Sequence, residues 1–136
     1  MAGEMSVQFD VGTGKICVYG NGFWSFPQAT AFFDDWKQII RRIHAAGLPV
    51  SAFVDMTESG VQKADVAQLI ATATLGLYRD GDAIAMLVPN SLAKMQMRRV
   101  LEARFHGFFI SRSAATTWLA GRAFSRDYVG RGASSG

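Results

Sequence analysis

The chain opens with strict alternation. From Ser6 to Asp10, Val7 and Phe9 fall on one side and Ser6, Gln8 and Asp10 on the other, the period-two pattern of a half-buried strand. Val11-Gly12-Thr13-Gly14-Lys15 supplies turn residues and Ile16-Cys17-Val18-Tyr19 resumes the pattern, so the first two strands form an antiparallel hairpin. The period changes after Gly20-Asn21-Gly22. Ala29, Phe32, Phe33, Trp36, Ile39, Ile40 and Ile43 recur at steps of three and four, predicting an amphipathic helix capped by Ser25 or Phe26, with Pro27 in its first turn. It ends near Gly47, with acids early and bases late to suit its dipole.

A mostly apolar run, Val50–Val54, predicts a central strand covered on both faces. It empties through Asp55-Met56-Thr57 into a polar loop, Glu58–Lys63. Asp65 with Gln68 has capping-box spacing for a second helix that buries Val66, Leu69, Ile70, Ala73 and Leu77. Ala83–Val88 is a second continuous apolar strand. Ser91 caps a third helix carrying Leu92, Met95, Met97, Val100, Leu101 and Phe105, closed by His106-Gly107. Phe108–Ile110 is a short strand, and a last helix starts at Ser111 or Ser113 and packs through Ala114, Ala115, Trp118 and Leu119. The order is β-β-α-β-α-β-α-β-α, an α/β fold with a mixed, mostly parallel sheet and one antiparallel hairpin strand at an edge.

Composition narrows the function classes. Of the 136 residues, 49% are apolar and 18% charged, which makes one domain, residues 1–121, with a real core. The formal charge is +3, but Arg122, Arg126 and Arg131 against Asp127 put most of it in a Gly/Ser/Arg-rich tail over residues 122–136. A nearly neutral body is a poor nucleic-acid binder. Cys17 is the single cysteine and, on a strand, is expected to pack; no disulfide or thiolate metal cluster can form within one chain. Without a secretory pattern or an apolar run of roughly 18–20 residues, the expectation is a cytoplasmic protein that does not insert into a membrane.

Candidate chemistry is sparse. His44 and His106 fall at predicted helix ends, where capping or packing is their expected role. Gly12-Thr13-Gly14 lies in a hairpin and lacks the dinucleotide-binding spacing. Asp55, ending a central strand, has the place of a phosphoacceptor, but the acids and the late-strand lysine that such chemistry needs are absent. No cofactor or metal site is expected. The bases of the third helix, Lys94, Arg98, Arg99 and Arg104, read as a solvated face. Met86, Met95, Met97 and Phe105 could line a pocket for a small apolar ligand or lipid.

Element order, the strand-end Phe53–Thr57, and Ser113-Ala114-Ala115-Thr116-Thr117-Trp118-Leu119 resemble the SpoIIAA-like group of the STAS superfamily, the anti-sigma-factor-antagonist fold, over Ser6 to Gly121. The resemblance implies a regulatory module that binds a protein partner, or a sensor of small ligands or lipids, and not an enzyme. It also implies a phosphorylatable serine at the start of the helix after the central strand. Ala64 and Asp65 stand there instead, so the kinase-switched role is not expected. The leading expectation is a protein-interaction module that uses Asp55, Thr57, Glu58, Ser59, Gln62 and Asp65; the alternative is an apolar-ligand carrier. Exposed aromatics Phe23, Trp24 and Phe26 add the expectation of a homodimer.

Overall fold

The structure, a computed structural model, describes residues 3–59 and 62–122. The hairpin forms as the alternation predicts: β1 (Glu4–Asp10) pairs antiparallel with β2 (Lys15–Asn21), Val7 opposite Val18. The helix α1 (Phe26–Ala45) is capped by Ser25, whose side chain accepts from Gln28 N while Gln28 Oε1 accepts from Ser25 N, a complete capping box. Its first turn holds no acid; Asp34 and Asp35 lie deeper, so its dipole is answered only at the basic C-terminal end.

Strand β3 (Ser51–Glu58) runs four residues beyond its predicted end. It is followed by α2 (Ala64–Thr74), β4 (Ala83–Leu87), α3 (Ser91–Val100), β5 (His106–Phe109) and α4 over residues 112–122. Several boundaries differ from the sequence pattern. Asn90, not Ser91, caps α3 by accepting from Ala93 N. Helix α3 stops at Val100, so Phe105 lies beyond it and His106 opens β5 instead of closing a helix. Leu101 to Phe105 keep an apolar spacing that imitates a helix, but the pairing of β5 with β4 claims the chain from His106 onward. Arg122 belongs to α4; the rest of the expected tail, residues 123–136, lies outside the described residues.

The sheet order is β1-β2-β3-β4-β5, with β1 antiparallel and β2 to β5 parallel. This is the mixed sheet the pattern predicts. Three right-handed crossovers that all step the same way leave α1, α2 and α3 on one face. Ile16, Val18, Ala52, Val54, Ile84, Met86 and Phe108 point to them and are buried. Helix α4 folds back onto the other face, where Trp118 packs on Phe109 and Ala115 is fully buried. Gly107 permits that approach, because a Cβ there would stand 3.0 Å from Trp118 and 2.7 Å from Phe109. Strand β4 is therefore buried along its whole length, while Lys15, Cys17 and Tyr19 of β2 are exposed on the uncovered half of the outer face. Cys17 does not pack, contrary to expectation, because none of the described elements covers β2 on that side.

At the N-terminal ends of the strands, buried Asp82 ties three segments together. It accepts from His44 Nε2 at 2.7 Å, Val50 N at 2.9 Å and Arg79 N at 2.8 Å. Both side chains are sealed, at 5% and 1% exposure. A histidine–carboxylate pair of this kind can orient a base, but its remaining partners are backbone N–H groups, so it serves as a clamp. Removing the acceptor strands a buried histidine: Asp82→Ala is expected to cost about 3–5 kcal/mol, read as a lower urea midpoint with an unchanged slope.

Candidate functional site

The C-terminal end of β3 divides into two environments. Along the strand, Phe53 and Asp55 face outward and Val54 and Met56 inward, as strand alternation requires. The register against β2 then slips, with Tyr19 opposite Asp55 but Asn21 opposite Glu58. Such a bulge turns a side chain to the other face. Glu58 thereby joins the outer face, where its carboxylate accepts from the Tyr19 hydroxyl.

The outer cluster is polar and tied. Asp55 Oδ1 accepts from Thr57 N at 3.0 Å and Thr57 Oγ1 at 2.7 Å, and Oδ2 pairs with Arg112, whose guanidinium also lies over the Phe53 ring. Burial alone would raise the Asp55 carboxyl, but the Thr57 hydrogen bonds and the Arg112 guanidinium outweigh it and hold it below the usual carboxylate range. Asp55 does not end the strand, contrary to expectation: β3 continues to Glu58, and Arg112 joins the cluster from α4.

Ser59 and Gln62 point the other way. Both are buried, at 3% and 5% exposure. Gln62 Oε1 accepts from Trp24 N, its Nε2 donates to Gly22 O, and its backbone exchanges two hydrogen bonds with the Gln96 amide. One side chain thus joins the loop after β3 to the start of α1 and to α3. Trp24, expected at the surface, is buried by this clamp, whereas Phe23 and Phe26 are exposed at 56% and 48%. Asp65 sits apart. Lys63 occupies the N-cap position of α2 without a side-chain bond, and Asp65 lies in the first turn, accepting from Val66 N at 2.8 Å. The capping box with Gln68 does not form, since Gln68 reaches Thr72 instead. The six residues expected on one recognition surface are therefore divided among an outer cluster, an inner clamp and a helix start.

Behind the inner clamp lies a cavity of about 60 Å³ between the inner sheet face and helices α1–α3. Met86 and Met97 line it, as the ligand alternative expects, together with Met56, Trp24, Trp36 and Ile70. Met95 does not: it is 52% exposed on the far side of α3. Phe105 is buried outside the lining, its ring tilted at 50° to that of Tyr78. Among the described residues no Asp, Glu, Lys or Arg lines the cavity. Its polar groups are mostly bonded: Trp36 Nε1 donates to Tyr78 OH at 3.0 Å, and Thr74 Oγ1 donates to Ile70 O at 2.8 Å. Ser59 Oγ is the exception; among the described residues it is the buried side-chain polar atom with no hydrogen-bond partner. Gly20 lies beside it and makes room for its neighbours: a Cβ there would crowd Trp24 at 2.8 Å and Met56 Sδ at 3.1 Å, and would stand in ordinary contact with Ser59 Oγ at 3.6 Å.

His106 closes the other end. Burial lowers its pKa below the usual imidazole value, against the opposing hydrogen bond from its Nδ1 to Glu102 O at 2.9 Å. The ring is neutral, Nδ1 carries the proton, and Nε2 is an acceptor. Sequence reasoning missed Gln96, Trp36, Tyr78 and Arg112. Trp36 and Tyr78 offered one signal, an aromatic body with a polar tip; Gln96 and Arg112 offered none. Among the described residues no group of three or more His, Cys, Asp or Glu could hold a metal ion, and no helix is long and apolar enough to cross a membrane.

No family model and no curated protein matches the chain. Among solved structures it is similar to an uncharacterized protein of the DUF3478 family from Shewanella loihica PV-4, described as having a SpoIIAA-like fold. The TM-score is 0.57 at 15% identity, over 87% of this chain and 93% of that one. The chain has a SpoIIAA-like fold, as the element order implied.

Two outcomes follow from the buried polar groups. Ser59→Ala removes an unpaired hydroxyl from apolar surroundings and is expected to stabilise the ligand-free protein by about 1 kcal/mol, seen as a higher melting temperature. The lowered His106 value means that the unfolded imidazole takes up its proton first. Stability is full above about pH 6.5 and falls as pH drops through that value toward the lower folded one. His106→Phe should flatten this decline in urea titrations between pH 7.5 and 5.5.

Proposed function

We propose that the chain is a non-enzymatic, ligand-responsive binding module of the SpoIIAA-like type, and that its site is the apolar cavity lined by Ser59 and Gln62. The observation that carries this reading is an uncharged, mostly apolar void holding one unpartnered hydroxyl, the combination of apolar wall and single orienting group that small-molecule sites use. At about 60 Å³ the void is smaller than a typical ligand pocket of roughly 300–1,000 Å³. Occupancy therefore requires its walls to give. Met56, Met86 and Met97 are the unbranched, adaptable side chains for that, and α2 is the helix best able to shift, because its N-cap residue Lys63 makes no side-chain bond.

A protein partner is the second reading, favoured by the uncovered outer face. There Tyr19, Thr57 and Glu58 are exposed next to the Asp55–Arg112 pair. The two readings are compatible, because Ser59 in the cavity directly follows Glu58 on that surface. Self-association would fall instead on exposed Phe23 and Phe26.

Native mass spectrometry of freshly purified protein, with melting curves in the presence of a cell lipid extract, tests the ligand reading. The expected result is a bound mass below about 500 Da or a rise in melting temperature that Ala93→Met, which narrows the cavity, reduces. A clean ligand-free mass with no shift in melting temperature would sink it. For the partner reading, Thr57→Ala with Glu58→Ala should abolish capture of a binding protein from cell extract, and capture equal to wild type would reject that surface.

A further inference from the structure

We infer that the cavity takes an uncharged amphiphile, an apolar chain ending in one hydroxyl- or carbonyl-type group that hydrogen-bonds Ser59 Oγ. This deepens the ligand reading above and rests on it. The charge follows from the walls. Among the described residues no ionised side chain lines the cavity, so a carboxylate or ammonium entering it would lose its hydration with no counter-charge from them to replace it. The head group follows from the hydrogen-bond inventory. Gln96 is engaged with the Gln62 backbone, Thr74 with Ile70 O, and His106 Nδ1 with Glu102 O, which leaves His106 its Nε2 as an acceptor at the far end; Ser59 Oγ, buried to 3% exposure, has both donor and acceptor capacity unused.

The chain follows from the cavity's length. Ser59 Oγ lies beside Gly20, while His106 shares a row with Ile84, Ala52 and Ile16 through the strand pairings. Gly20 is four residues beyond Ile16 on β2, so the two ends stand about 13 Å apart along the strand direction. Val18, Val54 and Met86 form the wall between them. The far end offers the Tyr78 hydroxyl and the His106 ring, which suits a ligand whose tail is apolar but tolerates a weakly polar tip.

Three ligands with one chain length separate the possibilities: octanol, octanoate and octyltrimethylammonium, each titrated at pH 8 into the full-length protein below its aggregation concentration. Trp24 and Trp36 both line the cavity, so their fluorescence reports occupancy. Octanol should bind at least tenfold more tightly than either ion. Ser59→Ala should weaken octanol about three- to tenfold, the worth of one hydrogen bond, while Leu92→Ala, exposed on α3 and outside the cavity lining, leaves it unchanged. Either ion binding as tightly as octanol overturns the uncharged class but leaves the cavity as a ligand site. Unchanged octanol affinity in Ser59→Ala overturns the polar contact. No response to any of the three, with a clean ligand-free mass, overturns the ligand reading and this inference together.

Discussion

The handedness of the crossovers governs the rest of this molecule. Strands β2 to β5 follow one another across the sheet in chain order, and right-handed connections that all step in one direction must deposit their helices on one face. Helices α1, α2 and α3 therefore share a single core with the inner sheet face, built on Ile40, Ile43, Ile84, Val50 and Val88. Each such side chain contributes about 1.5–3 kcal/mol when fully buried. The outer face receives only what comes after β5, namely α4. One side of the sheet is deep and closed and the other is half open, and the end of β3 stands between them.

That asymmetry gives a short segment two jobs. The bulge near Tyr19 and Asn21 sends Glu58 outward, and the turn from Ser59 N to Met56 O sends Ser59 inward. Neighbouring residues thus report to opposite faces. The Gln62–Gln96 exchange then fixes the returning chain against α3 and, through Trp24 and Gly22, against the start of α1. A buried amide with several partners contributes little net energy per bond, yet breaking it exposes several unmet groups at once. Its effect is to define where the cavity ends.

Periodicity made the fold legible. The alternation at Ser6–Asp10, the three-four spacing of α1 and the continuous apolar runs of β3 and β4 are properties of single elements, and each formed with its expected type. What failed was local where tertiary pairing competes with helix spacing, as between Leu101 and His106. The candidate site was half legible. The Asp55–Thr57 bonds span only three residues, yet they form inside β3, which runs past both of them to Glu58. Gln62 and Gln96 are 34 residues apart in the chain, and no pattern along either element marks them as partners. Trp24 looked like a surface aromatic for the same reason. The cap assigned to Asp65 failed because a capping box depends on where the first turn starts, and the chain enters α2 two residues earlier than that spacing requires.

Three buried polar side chains in this fold meet the same physical demand in different ways. Asp82 fills its carboxylate with three N–H donors, and Gln62 spends its amide on Trp24 and Gly22. Ser59 alone stays unmet. Leaving a hydroxyl buried without a partner costs about 1–3 kcal/mol, a sizeable share of the roughly 5–15 kcal/mol that holds a domain folded. An alanine would fill that position without the cost, and nothing in the backbone at Ser59 asks for serine. A cost of that size, at the buried side-chain polar atom that among the described residues has no partner, is best accounted for if the partner arrives from outside. On that argument the absent hydrogen bond is the part of the site that a ligand completes.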